Sequence, residues 1–122
     1  MRDTLFERTV QEVLRDLPPD LRRALTTVQI VIKDEPSAED LARAGLGPDE
    51  DLYGFFDGVS VLEKSATNPE PFPDRVVLFR RALLEDFPNR SDLEREIRVT
   101  LIHELGHFFG MDEDDLAERG YE

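Results

Sequence analysis

The chain has 122 residues, with 15 Lys or Arg against 28 Asp or Glu and a formal net charge of −13. Cysteine is absent, which excludes disulfides, thiolate chemistry and Cys-based zinc ribbons or fingers. The acidic balance argues against nucleic-acid binding and against docking on an anionic membrane, both of which call for clustered Lys and Arg.

One domain spanning residues 1–122 is the expectation at this length, and it can bury a core without metal or disulfide staples. In Met1-Arg2-Asp3-Thr4-Leu5-Phe6-Glu7-Arg8 charges recur every few residues, so no signal-peptide apolar run is present. No stretch approaches the ~20 apolar residues of a membrane span. The expected compartment is the cytoplasm.

Thr4 and Glu7 have the spacing of a capping box, and Phe6, Val10, Val13, Leu14 and Leu17 recur at helical period. Pro18-Pro19 ends that helix, and a helical turn is predicted over residues 20–25. The β-branched run Val28 to Lys33 predicts a strand closed by Asp34-Glu35-Pro36. Ser37 with Asp40 predicts the N-cap of a short helix that Gly45 stops.

Leu52 to Phe56 and Val59 to Leu62 flank Asp57-Gly58, a two-residue hairpin signal. A proline-rich loop covers residues 68–73, and Arg75 to Arg80 reads as another strand. Ser91 with Glu94 predicts a second capping box, opening a helix from Asp92 to Phe109 with Gly110 as its stop. Asp112 is the predicted N-cap of a last short helix ending at Gly120. This order of elements predicts a single α+β domain.

The chemistry concentrates in His103-Glu104-Leu105-Gly106-His107, an H-E-x-x-H motif that contains both histidines of the chain. Residues i and i+4 share a helical face, so both imidazoles can bind one metal, while Glu104 lies about 100° around the helix, placed to act on a water. Ile97, Leu101, Ile102, Leu105, Phe108 and Phe109 fall on one broad apolar side of this helix. Glu96, Thr100, His103, Glu104 and His107 fall on the other. For this composition the motif arises by chance about once in 500 chains. The alternative is a pair of partly buried histidines with local hydrogen bonds.

A catalytic zinc takes three protein ligands and a water. With no further His and no Cys, the third must be a carboxylate. Gly110 lets the chain fold back, and the acidic run Asp112-Glu113-Asp114-Asp115 follows. Glu113 sits ten residues after His103, the spacing of the third ligand in extended H-E-x-x-H patterns, and leads on that ground, with its neighbours Asp112, Asp114 and Asp115 as alternatives.

The run His103–Asp115, the segment Leu52–Gly58 and the segment Arg75–Arg81 together resemble the small bacterial zincin-like metallopeptidases grouped with the Asp-zincins. The resemblance implies a small twisted sheet over a metal-bearing helix, with zinc as cofactor. His103 and His107 would be ligands, Glu104 the general base, and a peptide or protein the substrate of a monomeric enzyme. Asp-zincins carry Asp where this chain has Glu113, which keeps Asp112 open as third ligand. Met111 is not expected to form a Met-turn, because 11 residues follow it.

The Leu52–Leu62 hairpin would supply an edge strand for peptide binding by β-augmentation. Tyr53 and Tyr121 are oxyanion-donor candidates by residue type alone. Arg80 and Arg81 are assigned to ion pairs in preference to catalysis. Two other readings stand beside the peptidase: a zincin-like protein-binding module without turnover, and a purely structural zinc closed by a second acid of the 112–115 run.

Overall fold

In strand β3 (Arg75–Phe79) four successive apolar side chains, Val76 to Phe79, are fully buried. Side chains of a strand alternate between faces, so both faces of β3 are covered and it must lie inside a sheet. The computed structural model, which describes residues 3–45, 52–58, 74–111 and 113–118 and only the backbone of Asp3 and Glu113, places β3 at the centre of three strands. β1 (Gln29–Lys33) runs parallel to it with Ile30 opposite Val76, and β2 (Gly54–Asp57) runs antiparallel with Phe55 opposite Val77. Both β1 and β2 are therefore edge strands among the described residues.

The helices sort by face. α1 (Asp3–Arg15) buries Phe6, Val10, Val13 and Leu14 at the predicted spacing, against a core shared with Val76 and Leu78. α2 (Pro19–Arg23) opens with proline at its first turn, where the missing N–H costs nothing, and buries Leu21. A 3-10 turn, Ala24–Thr26, leads into β1. The opposite sheet face carries a smaller cluster of Phe55, Val77 and Phe79, with Val31, Leu52 and Ala44 of α3 (Ala38–Ala44) packed on it.

Ser37 and Asp40 form the predicted capping box at the start of α3, and Gly45 ends it at φ 75°. Asp40 is buried and its carboxylate lies 3.1 Å from Lys33 Nζ at the end of β1. Burial alone would raise the Asp40 pKa. The Ser37 N–H and hydroxyl and the Lys33 ammonium together outweigh it and hold the carboxyl below its ordinary 3.8.

Three expectations are corrected. α1 already includes Asp3 and Thr4, so Thr4 is not the N-cap. α5 (Arg90–Phe108) starts two residues before the predicted Asp92. Its cap is Asn89, whose Oδ1 accepts from Ser91 N–H (2.9 Å) and Asp92 N–H (3.3 Å). With the Ser91 N–H so engaged, Glu94 pairs with Arg90 at 3.2 Å and does not close a box. Finally, β3 ends at Phe79 and passes directly into a helix the pattern did not predict, α4 (Arg80–Asp86). That helix is seeded by Arg80–Asp34 and Arg81–Glu35 pairs, by Arg81 N–H on the Asp34 carbonyl at 3.1 Å, and by the fully buried Leu83.

The last helix, α6 (Glu113–Glu118), falls where the sequence places it. The second arm of the predicted hairpin (59–62), the proline-rich loop (68–73), Asp112 and Tyr121 lie outside the described residues. No described helix is long and apolar enough to cross a membrane.

Packing and capping make two positions sensitive. A methyl group on Gly54 would stand 2.6 Å from the Val77 carbonyl oxygen and 3.0 Å from Thr100 Cγ2. Thermal and urea melts of Gly54→Ala should show a loss of about 1–3 kcal/mol, as for other overpacked sites. Asp40→Asn should cost about 1–2 kcal/mol at neutral pH through the weakened cap and the lost Lys33 pair. Because the folded state lowers the Asp40 pKa, its contribution is full above 3.8 and fades as pH falls through the folded value. Urea melts of wild type and variant should therefore converge below that pH.

Candidate metal centre

The H-E-x-x-H motif occupies the last turns of α5, and the helix is positioned at both ends. The Asn89 cap fixes its start. At its finish Met111 N–H bonds to the Gly106 carbonyl (2.9 Å) and Gly110 N–H to the His107 carbonyl (3.0 Å), with Gly110 at φ 74°. That pair of bonds is a Schellman motif, and the left-handed residue is the predicted glycine. The chain turns back at once into α6, and Leu116 of α6 packs on Gly106, where a methyl group would meet Leu116 Cδ2 at 3.0 Å. The end of the motif is thus also the start of a reversal that returns an acidic segment toward the same end of the helix.

Between its ends α5 presents the two sides read from its sequence. Leu93, Ile97, Leu101, Ile102, Leu105 and Phe108 are buried in the main core. On the other side His103 is half-buried, Glu104 is 16% exposed at its side chain and His107 is 53% exposed. Thr100, assigned to the polar side, is buried, because β2 crosses directly over it at Gly54.

That crossing sets the geometry of the site. Tyr53 accepts a hydrogen bond from Phe79 N–H at 2.9 Å, which fixes the parity of the β2–β3 ladder. Phe55 and Asp57 then share the bonding side with Tyr53, while Gly54 and Phe56 turn their backbone groups to the outer edge. Phe56 N–H donates to Glu104 Oε1 at 2.8 Å across that edge. The same oxygen lies 3.4 Å from His107 Nδ1. The Phe56 ring meets Phe108 edge-on at 6.2 Å and pins the strand to the helix end.

A cavity of about 330 Å³ opens here, lined among others by Arg43, Leu52, Gly54, Phe56, Glu104 and His107. His103 stands one turn earlier on α5 and does not line it. Arg43, which the sequence did not single out, bonds to Glu39 at 3.0 Å and Asp57 at 2.8 Å, and Arg75 reaches the other Asp57 oxygen at 3.0 Å. No local pattern could mark Arg43, because its position depends on α3 packing beside β2.

Other candidates fall elsewhere. Tyr53 donates to Asp86 at 2.5 Å and packs on Phe87, away from the H-E-x-x-H carboxylate. Arg80 and Arg81 are in ion pairs with Asp34 and Glu35, as expected. Among the described residues no three His, Asp or Glu gather into a metal-holding group; Asp112 and the Glu113 side chain lie outside them.

The donor chemistry nevertheless suits zinc. Two imidazoles project one turn apart, and carboxylates follow the helix stop. The Phe56 N–H holds the Glu104 carboxylate toward the strand.

Comparison with known proteins bears on the whole arrangement. A conserved hypothetical protein from Thermus thermophilus superposes with a TM-score of 0.55 at 22% identity, covering 97% of this chain and 99% of its own. That likeness is one of fold. No protein of curated function matches the sequence. The family described as zincin-like metallopeptidase matches over residues 25–121, a span that takes in the sheet, the H-E-x-x-H helix and the return into α6. By that match, over well more than half its length, the chain belongs to the zincin-like metallopeptidase family.

Proposed function

We propose that this protein is a zinc-dependent peptidase. In this reading His103, His107 and Glu113 hold the metal, with Asp112 the alternative third ligand, and Glu104 is the general base. The observation that carries it is the 2.8 Å bond between Glu104 and Phe56 N–H, which joins the motif's carboxylate to the outer edge of β2 in a cavity that also includes His107. Membership of a zincin-like metallopeptidase family supports the same reaction class.

A zinc ion, when bound, supplies Lewis acidity toward the scissile carbonyl and acidifies water. The chain's own residues do the rest. The outward Gly54 N–H and the outward carbonyls of Gly54 and Phe56 offer a donor and two acceptors to an extended peptide, which would join the sheet as a further strand, the Phe56 N–H being held by Glu104. Such a peptide crosses in front of Glu104, because Glu104 is tied to that edge. Glu104 accepts the proton of the attacking water and returns it to the leaving amine. Leu52 and the Phe56 ring give the cavity an apolar side. The Arg43 charge is already compensated by Glu39 and Asp57 and has no assigned part in the reaction. The working unit is taken to be the monomer, and the substrate a peptide or protein.

Metal analysis and peptide-library cleavage test this together. Purified protein should bind one zinc per chain, lost in His103→Ala and weakened in Glu113→Ala but not in Asp112→Ala. The reverse order for the last two would move the third ligand to Asp112. Glu104→Gln should keep its zinc and lose about 10²–10⁴-fold in turnover, the usual contribution of a general base. Undiminished cleavage by Glu104→Gln, or no metal taken up at neutral pH from excess zinc, would overturn the reading.

A further inference from the structure

The sheet has a second outer edge, on the far side of β3 from the candidate metal centre. Gln29 N–H bonds to the Asp74 carbonyl at 3.0 Å, which fixes the parity of the parallel β1–β3 ladder. Gln29, Val31 and Lys33 face β3, and Ile30 and Ile32 turn their N–H and carbonyl groups outward. Among the described residues no further strand covers this edge. A groove of about 950 Å³ runs along it. Four consecutive residues, Val28 to Val31, line the groove, so it follows the backbone of the first part of β1, and Ile32 continues the same edge just beyond its lining.

Its chemistry is unlike the rest of the surface. The chain carries 28 acids, yet among the described residues none of the eleven that line the groove is Asp or Glu. Two are arginines, Arg15 of α1 and Arg22 of α2, both exposed. Arg22 bonds to the Arg15 carbonyl, at 3.4 Å. Among the described residues neither guanidinium has a carboxylate partner, which is true also of Arg8 and Arg98, whereas Arg23, Arg43, Arg75, Arg80, Arg81, Arg90 and Arg95 all have one. The acids of α1 and its C-terminal end nearest to Arg15, Glu12 and Asp16, line a different cavity on the other side of the helix, against α5.

We propose that this edge is a docking site for an extended acidic segment of a partner protein, added as a fourth strand beside β1. Ile30 and Ile32 supply its main-chain bonds, and Arg15 and Arg22 pair with its carboxylates. Charge complementarity favours this occupant over a second copy of the chain. A two-fold β1–β1 pairing would set the same arginines against each other. The site is separate from the peptidase reading, and Arg15 and Arg22 precede the family-matched residues 25–121.

The test uses synthetic peptides of about eight residues alternating valine with glutamate or with lysine. Titrated into the full chain, the glutamate peptide should bind and slow hydrogen exchange at the Ile30 and Ile32 amides, and the lysine peptide should not. The double variant Arg15→Glu, Arg22→Glu should weaken binding about tenfold or more. Ile32→Pro should abolish it while keeping the fold, because proline is tolerated where a strand's N–H faces away from the ladder; Ile30→Pro serves the same purpose if that variant does not fold. Equal binding of both peptides, exchange protection at Gly54 and Phe56 instead, or self-association through β1 without peptide binding would each overturn the proposal.

Discussion

The structure depends on how closely β2 approaches α5. The strand crosses the helix where one residue has no side chain, Gly54, and the neighbouring helical residue is Thr100, which the crossing buries. Only with the backbones this close can a carboxylate as short as that of Glu104 reach a strand amide. The resulting bond, from a neutral N–H to a charged acceptor, belongs to the stronger class, worth about 1.5–3 kcal/mol net. It also satisfies an outward amide that an edge strand would otherwise leave to water. The same contact therefore stabilises the edge and aims the motif.

That contact would be loose without the burial behind it. α5 places Ile97, Leu101, Ile102 and Leu105 at zero or nearly zero exposure against the sheet, which prevents the helix from rolling about its axis. Rolling by one residue, about 100°, would exchange the polar stripe for the apolar one. The histidine stripe is thus held in place by what the opposite stripe buries. At the C-terminal end the Schellman bonds and the fit of Leu116 on Gly106 do the same for the chain reversal. The motif's glycine fits this packing: a Cβ at Gly106 would meet Leu116 Cδ2 at 3.0 Å and crowd α6.

Much of this was readable in the sequence, for reasons of range. The H-E-x-x-H helix, its apolar side, the Gly110 stop, and the Ser37 and Gly45 ends of α3 are set by residues within a turn or two of each other. Local periodicity and cap chemistry carry such information. What was not readable is either a competition or a tertiary meeting. Asn89 and Ser91 are both good cap residues, and Asn89 prevailed because its side chain reaches two amides at once. α4 follows a strand with no intervening loop, so its first residues read as strand. Arg43 enters the site through the packing of α3, and the pairing of β2 with β3 needs contacts across more than about fifteen residues of sequence.

The net charge of −13 is distributed with some order. Most described arginines are paired with acids, and the exposed pairs contribute little each, about 0–1 kcal/mol. Their effect is to neutralise cations over most of the surface, leaving acids in excess. Against that background a strip that, among the described residues, carries no acid and two guanidinium groups without a carboxylate partner is a local reversal of sign. At physiological ionic strength charges beyond about 8 Å are largely screened, so a bound segment would sense the strip more than the total. The two edges of one small sheet therefore differ in kind. At β2 the outward amide is taken by a carboxylate of the protein itself, and at β1 the outward amides lie beside cations that lack one. A single central strand, β3, keeps the two edges apart, so a ligand at one need not compete with a ligand at the other.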